Sequence, residues 1–324
     1  MRAIMSTILL LVLAGGAIGV AFSFYQWHRP MAQAAQAVVI APGTGTLAIL
    51  RQLHGEGLIP PPWTIALPLV VSGDMRRLKA GEYAVTPGMS AGDLLDAMAA
   101  GNVVVHAVTI PEGFTVAQIK ARLLAEPLLS GELPAHIPEG SLFPDTWSFQ
   151  REEARSALIG RMQARMRDEL ARAWEMRQAD LPIATPEEAL ILASIVEEET
   201  GIADERPLVA GVYLNRLRIP MRLQSDPTVA YGIAPAGMQR MLTLKDLARD
   251  SPYNTYTRDG LPPGPICNPG RDSLEAVMRP AETEALYFVA TGDGGHRFAR
   301  THAEHEQNVR AYRAVQRAKR REGQ

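Results

Sequence analysis

Residues 185–201 read TPEEALILASIVEEETG, and this stretch predicts a buried helix at the centre of the fold. Thr185 and Glu188 have the spacing of a capping box, and the proline between them suits the first helical position. Residues 189–196 are almost wholly apolar, and a helix that is apolar on nearly every face is buried. We expect Gly201 to end the helix in the left-handed conformation.

The last turn of this helix carries Glu197, Glu198 and Glu199 in succession. The helix dipole disfavours anions at this end, and adjacent carboxyl groups disfavour one another's ionisation. Glu199 continues the apolar stripe that begins at Leu192, whereas the other two glutamates are expected to leave it. A carboxylic acid that stays neutral near neutral pH can protonate a glycosidic oxygen. Glu199 is therefore the candidate acid, and a solvated acidic helix end is the alternative.

Two downstream segments, residues 215–232 and 251–256, are dense in short hydrogen-bonding side chains. Sugar hydroxyl groups need such partners, and aromatic residues beside amides suit a sugar-binding groove, although each segment alone is compatible with an ordinary loop. Glu139 precedes a rigid turn, residues 144–147, and is the main alternative carboxylate. The candidates for holding a sugar are Asn215, Gln224, Ser225, Asp226, Asn254 and Glu139.

The N-terminus predicts a membrane anchor. Residues 3–24 carry no charge, and a helix needs about 20 apolar residues to cross the hydrocarbon layer. We expect residues 1–29 to be the anchor and the remainder to be exported, although the flanking charges orient the helix only weakly. A cleavable signal peptide is the alternative, but the apolar run exceeds the roughly 7–15 residues usual for its core.

Composition excludes several classes of function. The chain of 324 residues has 33 basic and 35 acidic residues, a net charge of −2, so no global field indicates a nucleic-acid partner. Cys267 is the one cysteine, which rules out a disulfide framework and a cysteine metal site. A metal site would have to use His296, His302 and His305, but no acidic ligand pattern accompanies them, and structural or surface histidines are the favoured interpretation.

The region between the anchor and the central helix predicts a small β-α module. Residues 38–40 and 79–85 have the character of strands, and residues 46–53 have apolar positions at helical spacing. A further helix opens at Ser90 and ends at Gly101. Residues 155–176 mix charges of both signs, as is typical of a solvated helix.

Several longer motifs occur together along the chain. They are KAGEY at 79–83, PEG at 111–113, EGSLFPDTW at 139–147, ASIVEEET at 193–200, SDPTVAYG at 225–232, PGPICNPG at 263–270, YFVA at 287–290 and GGHRF at 294–298. In this order they resemble the YceG-like, MltG-type family of endolytic murein transglycosylases. The resemblance covers nearly everything after the apolar N-terminus, and it is far more specific than one glutamate.

The resemblance implies an α+β fold: an N-terminal transmembrane helix (1–29), a small LysM-like β-α subdomain (38–103) and a mixed α/β catalytic domain (104–324). It implies a single-pass protein of the bacterial inner membrane with its catalytic domain in the periplasm. The partners would be peptidoglycan glycan strands, the membrane and peptidoglycan synthases, with no cofactor, no metal and no nucleic acid.

The implied reaction cleaves the MurNAc–GlcNAc bond within nascent strands, forms 1,6-anhydro-MurNAc ends and terminates glycan elongation. The family pattern assigns Glu199 as acid and then base, the same residue that the apolar stripe indicates. The alternatives are a noncatalytic glycan-binding scaffold and a hydrolytic muramidase.

Overall fold

Helices and short two-stranded sheets build this chain, whose computed structural model describes residues 2–73 and 78–322. The polypeptide divides into two compact units, one reaching to His106 with residues 148–152, and one containing residues 107–147 and everything after 152. The mixed α/β character expected from the sequence is confirmed. Residues 74–77, within the expected LysM-like subdomain, lie outside the described residues.

The first unit contains the β-α module that the sequence predicts. Its elements are α1 (Arg2–His28), β1 (Gln36–Ile40), α2 (Thr46–Gly55), α3 (Ala66–Ser72), β2 (Gly81–Val85) and α4 (Ala91–Ala100). β1 and β2 pair antiparallel, with Val38 opposite Tyr83, and both side chains are buried. Ser90 caps α4 in a capping box with Asp93, and Gly101 ends it with φ 83°.

The apolar helix α1 has two different parts. Residues 4–28 are long and apolar enough to cross a membrane, and no other helix among the described residues meets that test. Near its C-terminal end, however, Trp27 is 6% exposed and belongs to the core of the first unit. A Cβ atom on Gly92 would lie 2.2 Å from Trp27 Nε1, so α4 approaches the indole through a glycine. Ser23 Oγ donates to the Thr64 carbonyl over 2.7 Å. The last turns of α1 thus serve as a core element.

The second unit is mainly helical. Its elements are β3 (His106–Thr109), which begins at the division between the units, α5 (Val116–Leu124), β4 (Thr146–Phe149), whose last two residues belong to the first unit, α6 (Arg155–Glu175), α7 (Pro186–Glu199), α8 (Arg206–Arg218), α9 (Asp226–Ile233), α10 (Leu244–Leu247), α11 (Arg271–Met278), β5 (Tyr287–Ala290), β6 (His296–Ala299) and α12 (His302–Glu322). β3 pairs with β4, and β5 with β6 as an antiparallel hairpin on which α12 packs.

Helix α7 is the centre of the second unit, as its apolar sequence predicts. It packs against α6, α8, α9 and α11, and its residues 192–196 are fully buried. Thr185 accepts the Glu188 backbone N–H at 3.2 Å, but the Glu188 carboxylate reaches back to the Ala184 N–H instead of completing the capping box. Thr200, in extended conformation, ends the helix. The left-handed conformation expected at Gly201 was wrong, because Gly201 has no positive φ.

Three other elements differ from the sequence expectation. The turn expected at residues 144–147 leads into β4, which begins at Thr146. α6 is amphipathic rather than simply solvated, because Leu158 and Met162 on one face are fully buried. The polar segment after Ser225 is helix α9, whose first turn carries an aspartate and a proline. Tertiary packing determines these three elements, and hydrophobic periodicity in a short stretch of sequence does not reveal tertiary packing.

Candidate active site

Two hydroxyl groups hold the carboxyl of Glu199, the last residue of α7. The Tyr213 hydroxyl on α8 donates to Oε1 over 2.7 Å, and Ser225 Oγ donates to the same oxygen over 2.6 Å. Tyr213 and Ser225 are themselves buried. No residue within 2–73 or 78–322 forms a hydrogen bond to Oε2. One oxygen of the carboxyl group is therefore fixed, and the other is left for a ligand.

The surroundings of Glu199 favour its neutral form. Burial raises the pKa of Glu199, the hydrogen bonds from Ser225 and Tyr213 lower it, and the charge of Asp226 raises it further, leaving a pKa above the ordinary value. Burial also raises the pKa of Tyr213 well above its usual range, so this hydroxyl remains a donor. Because both hydroxyl groups donate to Oε1, the acid proton belongs on Oε2.

Glu199 lines a cavity of about 440 Å³ within the second unit. The other lining residues combine acidic, basic, amide and aromatic side chains: Arg216, Gln224, Asp226, Tyr256, Tyr287, Phe288, Val289, His302 and His305. Gln224 and Asp226, both predicted from the sequence, are exposed there. The fold thus brings four predicted site residues together: Glu199, Gln224 and Asp226 line the cavity, and Ser225 holds the Glu199 carboxyl.

The backbone at 224–226 is fixed by Thr255. The Gln224 N–H donates to the Thr255 carbonyl over 3.1 Å, and the Ser225 N–H donates to Thr255 Oγ1 over 2.9 Å. Gln224 has φ 51°, a left-handed conformation that a non-glycine residue keeps only when its surroundings impose it. The Tyr256 hydroxyl donates to Asp226 Oδ1 over 2.6 Å. These bonds direct the segment's side chains into the cavity.

A second cavity, of about 530 Å³, lies on the other side of the same helix end. It is lined by Glu198, Asp226, Tyr231, Phe114 and Gln118 among others, so Asp226 lines both cavities. Glu198 as a residue is exposed, yet a Cβ on Gly113 would lie 2.8 Å from its Oε1. Burial of this carboxyl raises the pKa of Glu198 to about 7, and the charges of Glu197 and Glu199 add to the rise.

Glu197 points elsewhere and has a structural environment. Its Oε2 accepts the Gly270 N–H at 2.8 Å, at the start of α11, and its Oε1 lies 3.9 Å from Arg206 Nη2. Its side chain is 6% exposed. The expectation that Glu197 leaves the buried region was wrong, because α11 and α8 pack over that face of α7.

Two predicted groove residues use their amides on the backbone. Asn215 Nδ2 donates to carbonyls within residues 283–285, at 2.8 and 3.2 Å, and lines a separate cavity that does not include Glu199. Asn254 is 1% exposed, and its Nδ2 donates to the carbonyls of Leu247 and Arg249 at 2.9 and 2.6 Å. The structure places both away from the lining of the Glu199 cavity.

Glu139 lies behind the wall of the second cavity. Its Oε1 accepts the Val116 N–H at 2.8 Å and Asn268 Nδ2 at 3.1 Å, and its Oε2 accepts the Tyr231 hydroxyl at 3.2 Å. Burial raises the pKa of Glu139, and these hydrogen bonds oppose the rise. Helices α5 and α9 and the loop that contains Asn268 therefore meet at this half-buried carboxyl group.

Sequence reasoning missed Tyr213 and Arg216. Both lie on α8, where Tyr213 belongs to an apolar run and has the appearance of a core residue, and Arg216 follows that run in the polar sequence Asn-Arg-Leu-Arg. No local signal distinguishes Arg216 from Arg218, because only the tertiary packing buries the first of the two.

The three histidines considered for a metal are separated. His296 Nδ1 lies 2.7 Å from Glu205 Oε2, while His302 and His305 line the Glu199 cavity. Across residues 2–73 and 78–322, no group of three or more His, Cys, Asp or Glu side chains is arranged to hold a metal ion.

Comparisons with known proteins match this chain to YceG-like proteins and to endolytic murein transglycosylases. The model of the YceG-like family matches residues 38–311. An endolytic murein transglycosylase of Streptococcus pneumoniae is 32% identical, covering 72% of this chain and 50% of that protein. One of Bacillus subtilis is 36% identical, covering 55% of this chain and 48% of its own length. A crystal structure of a YceG-like protein from Listeria monocytogenes superposes with a TM-score of 0.52 at 30% identity, covering 85% of this chain and 99% of that one. The chain spans about half the length of the Streptococcus pneumoniae and Bacillus subtilis enzymes that it matches.

Proposed function

This chain belongs to the YceG-like family, and from that membership we propose that it is an endolytic murein transglycosylase, a lyase that cuts within peptidoglycan glycan strands. The relatives named as such enzymes support the reaction class. The substrate would be the MurNAc–GlcNAc bond of nascent strands, and the product a 1,6-anhydro-MurNAc end.

The observation that carries the proposal is the asymmetric hydrogen bonding of Glu199. Oε1 receives two hydroxyl donors, and Oε2 is left to bear a proton in a cavity wide enough for a sugar. A carboxyl group held in this way, with its pKa raised by burial, is suited to deliver one proton and then recover one. Glu198 also has a raised pKa, but within the part of the chain that the structure describes no comparable pair of donors orients it.

In the proposed reaction, Glu199 Oε2 protonates the glycosidic oxygen as the bond from that oxygen to C1 of MurNAc breaks. The C6 hydroxyl of the same sugar attacks C1 and forms the anhydro ring, and its proton passes to the Glu199 carboxylate. The acid is thereby regenerated, and no water is consumed. Intramolecular attack has a large effective molarity, which explains how one carboxyl group can serve both steps.

The neighbouring residues have distinct proposed roles. Asp226 lines both cavities and would stabilise the positive charge that develops at C1, and Gln224 would bind sugar hydroxyl groups. Ser225 and Tyr213 would orient Glu199. Asn215, Asn254 and Glu139, predicted as groove residues, would act by fixing loops and walls, as their hydrogen bonds to protein groups suggest.

Two other functions predict different behaviour. A hydrolytic muramidase requires a second carboxylate, and Asp226 is the one that shares the cavity with Glu199. Its product would be one water heavier than the anhydro product. A noncatalytic glycan-binding scaffold would release no product at all.

The N-terminal part would hold the enzyme at its substrate. We expect α1 to anchor it in the inner membrane by a single pass, with the catalytic domain in the periplasm, where it would end the elongation of strands made by peptidoglycan synthases. The first unit would be the LysM-like, glycan-binding subdomain. Membrane fractions extracted with detergent and with high salt test the anchor, because release by salt alone would argue against it.

The assignment of Glu199 is tested with three matched variants, Glu199→Gln, Glu198→Gln and Glu197→Gln. Glu199→Gln keeps the shape of the carboxyl but cannot transfer a proton, so the rate of strand cleavage should fall at least about 10²–10⁴-fold. Glu198→Gln should retain most of the activity. If Glu198→Gln is inactive while Glu199→Gln cleaves, the acid lies in the other cavity.

A further inference from the structure

The Glu199 cavity is also lined by a buried arginine. Arg216 is 6% exposed, its Nε donates to the Leu286 carbonyl over 2.7 Å, and its Nη1 donates to the Leu223 carbonyl. Its guanidinium carbon lies 5.6 Å from the centre of the Tyr287 ring. These contacts fix the plane of the guanidinium group at the cavity wall.

One nitrogen of the Arg216 guanidinium group is available to donate hydrogen bonds to a ligand. Nη2 has no acceptor, and no carboxylate is ion-paired with Arg216, among residues 2–73 and 78–322. A buried cation without a charged partner is costly. The Asp226 carboxylate, which lines the same cavity, accepts a hydrogen bond from the Tyr256 hydroxyl. The Glu199 carboxyl group accepts hydrogen bonds from Tyr213 and Ser225. Arg216 therefore lines the cavity without an ion-pair partner among the described residues, although the Asp226 carboxylate lines the same cavity.

His305 provides a second unsatisfied group in the same cavity. Its Nδ1 is buried and has no hydrogen-bond partner in the part of the chain that the structure describes. The imidazole stacks on the Tyr287 ring with centroids 5.2 Å apart, so Tyr287 contacts both His305 and Arg216. His302 also lines this cavity. In the tautomer with its proton on Nδ1, His305 is a hydrogen-bond donor.

We propose that Arg216 and His305 form a carboxylate-binding subsite, so that the enzyme cleaves preferentially where the strand presents a carboxylate beside the reacting sugar. This inference rests on the proposed function, and it adds a determinant of substrate choice. An anion is the ligand that satisfies a fixed guanidinium and an adjacent N–H donor together. The cavity then has an acid that reacts with the glycosidic bond and a cation that recognises the strand.

Peptidoglycan offers two sources of this carboxylate. The lactyl ether of muramic acid ends in a free carboxylate when the peptide stem has been removed, and the stem carries carboxylates of its own when it is present. The test therefore uses four uncrosslinked strands: stem-bearing and stem-free, each untreated or with its carboxylates converted to neutral methylamides.

Cleavage and binding are measured separately on these strands. Cleavage uses the full chain in detergent, and binding is measured by calorimetry with the Glu199→Gln variant. We expect the untreated form of one strand type to be bound and cleaved roughly 10–100-fold better than its methylamide, the range for a hydrogen-bonded charge. The strand type that shows the difference identifies the source of the carboxylate.

Variants distinguish ligand recognition from a structural role. Arg216→Gln should cleave the untreated and the methylamide strands at about the same rate, and Arg216→Lys should restore part of the preference for the untreated strand. A purely structural role would weaken cleavage of both forms equally. The matched control is Arg218→Gln, on the same helix but exposed and in a different cavity, and it should keep the parent's preference.

Equal binding and cleavage of untreated and neutral strands by the parent protein would overturn the subsite, whether or not Arg216→Gln folds. Anhydro products formed without any preference would retain the proposed function and reject the subsite. Charge-dependent binding with no cleavage would retain the subsite and reject the lyase. Failure to bind any strand would overturn both.

Discussion

Replacing Tyr213 with phenylalanine should weaken Glu199 as an acid and shift its titration upward. The Tyr213 hydroxyl donates to Glu199 Oε1 over 2.7 Å, and this bond lowers the pKa of Glu199 against the effect of burial. A hydrogen bond to a charged group is worth about 1–1.5 kcal/mol more than one to a neutral group. Its loss therefore raises the pKa of Glu199 further above the ordinary value.

The sign of the kinetic effect follows from the protonation state. The first step requires protonated Glu199, so activity falls as pH rises through the pKa of this group. A higher pKa moves the alkaline limb of kcat/KM to higher pH. The rate at the optimum should fall about 5- to 15-fold, because Tyr213 also stabilises the carboxylate that forms in the transition state.

The assay is the pH profile of anhydro-product formation for Tyr213→Phe beside a matched control. Tyr83→Phe removes another buried tyrosine hydroxyl, which donates to the Lys79 carbonyl over 2.8 Å in the first unit. It should lower the melting temperature without moving either limb. Ser225→Ala should shift the profile in the same direction as Tyr213→Phe. A limb that stays in place or moves downward in Tyr213→Phe would refute this account of how Glu199 is tuned.

Three further outcomes concern stability. Because the folded-state pKa of Glu199 is raised, its stabilising contribution is present below the unfolded pKa and lost as pH rises through the folded pKa. The melting temperature of Glu199→Gln relative to the parent should therefore rise as pH increases from the unfolded pKa through the raised folded pKa; a constant difference contradicts the raised pKa. Glu197→Gln should cost about 1–3 kcal/mol in urea unfolding, because it removes the negative charge beside the largely buried Arg206 although the amide can still accept from Gly270, and it should not change the product; an unaltered midpoint would argue against the buried contact. Removing residues 1–29 should lower the melting temperature more than removing residues 1–22, because only the longer deletion removes Trp27 from the core; equal melting would show that α1 is a separate anchor.

Local sequence was sufficient wherever structure depends on neighbouring residues. The capping residue Thr185, the apolar run of α7 and the stripe ending at Glu199 all follow helical periodicity, and the structure agrees with them. Ser90 and Gly101 likewise bound α4 as expected. Such features are set within a few residues, where propensity and capping operate.

The same local reasoning could not predict contacts between residues far apart in the sequence. Periodicity gave the direction of Glu197 but not the N-terminus of α11 that packs there. Asn215 and Asn254 were selected as polar residues suited to sugars, yet short polar side chains in loops commonly satisfy backbone groups, and both do so here. The donors to Glu199 come from residues 14 and 26 positions away, a separation that no local pattern encodes.

The central claim, that Glu199 catalyses an intramolecular cleavage, is tested most directly by mass spectrometry of products formed from uncrosslinked strands in heavy-oxygen water. For the parent protein the account predicts anhydro ends that carry no solvent oxygen, and for Glu199→Gln, folded by its thermal melt, it predicts no such product. Reducing ends labelled with solvent oxygen, or anhydro ends formed by Glu199→Gln at the parent's rate, would contradict it.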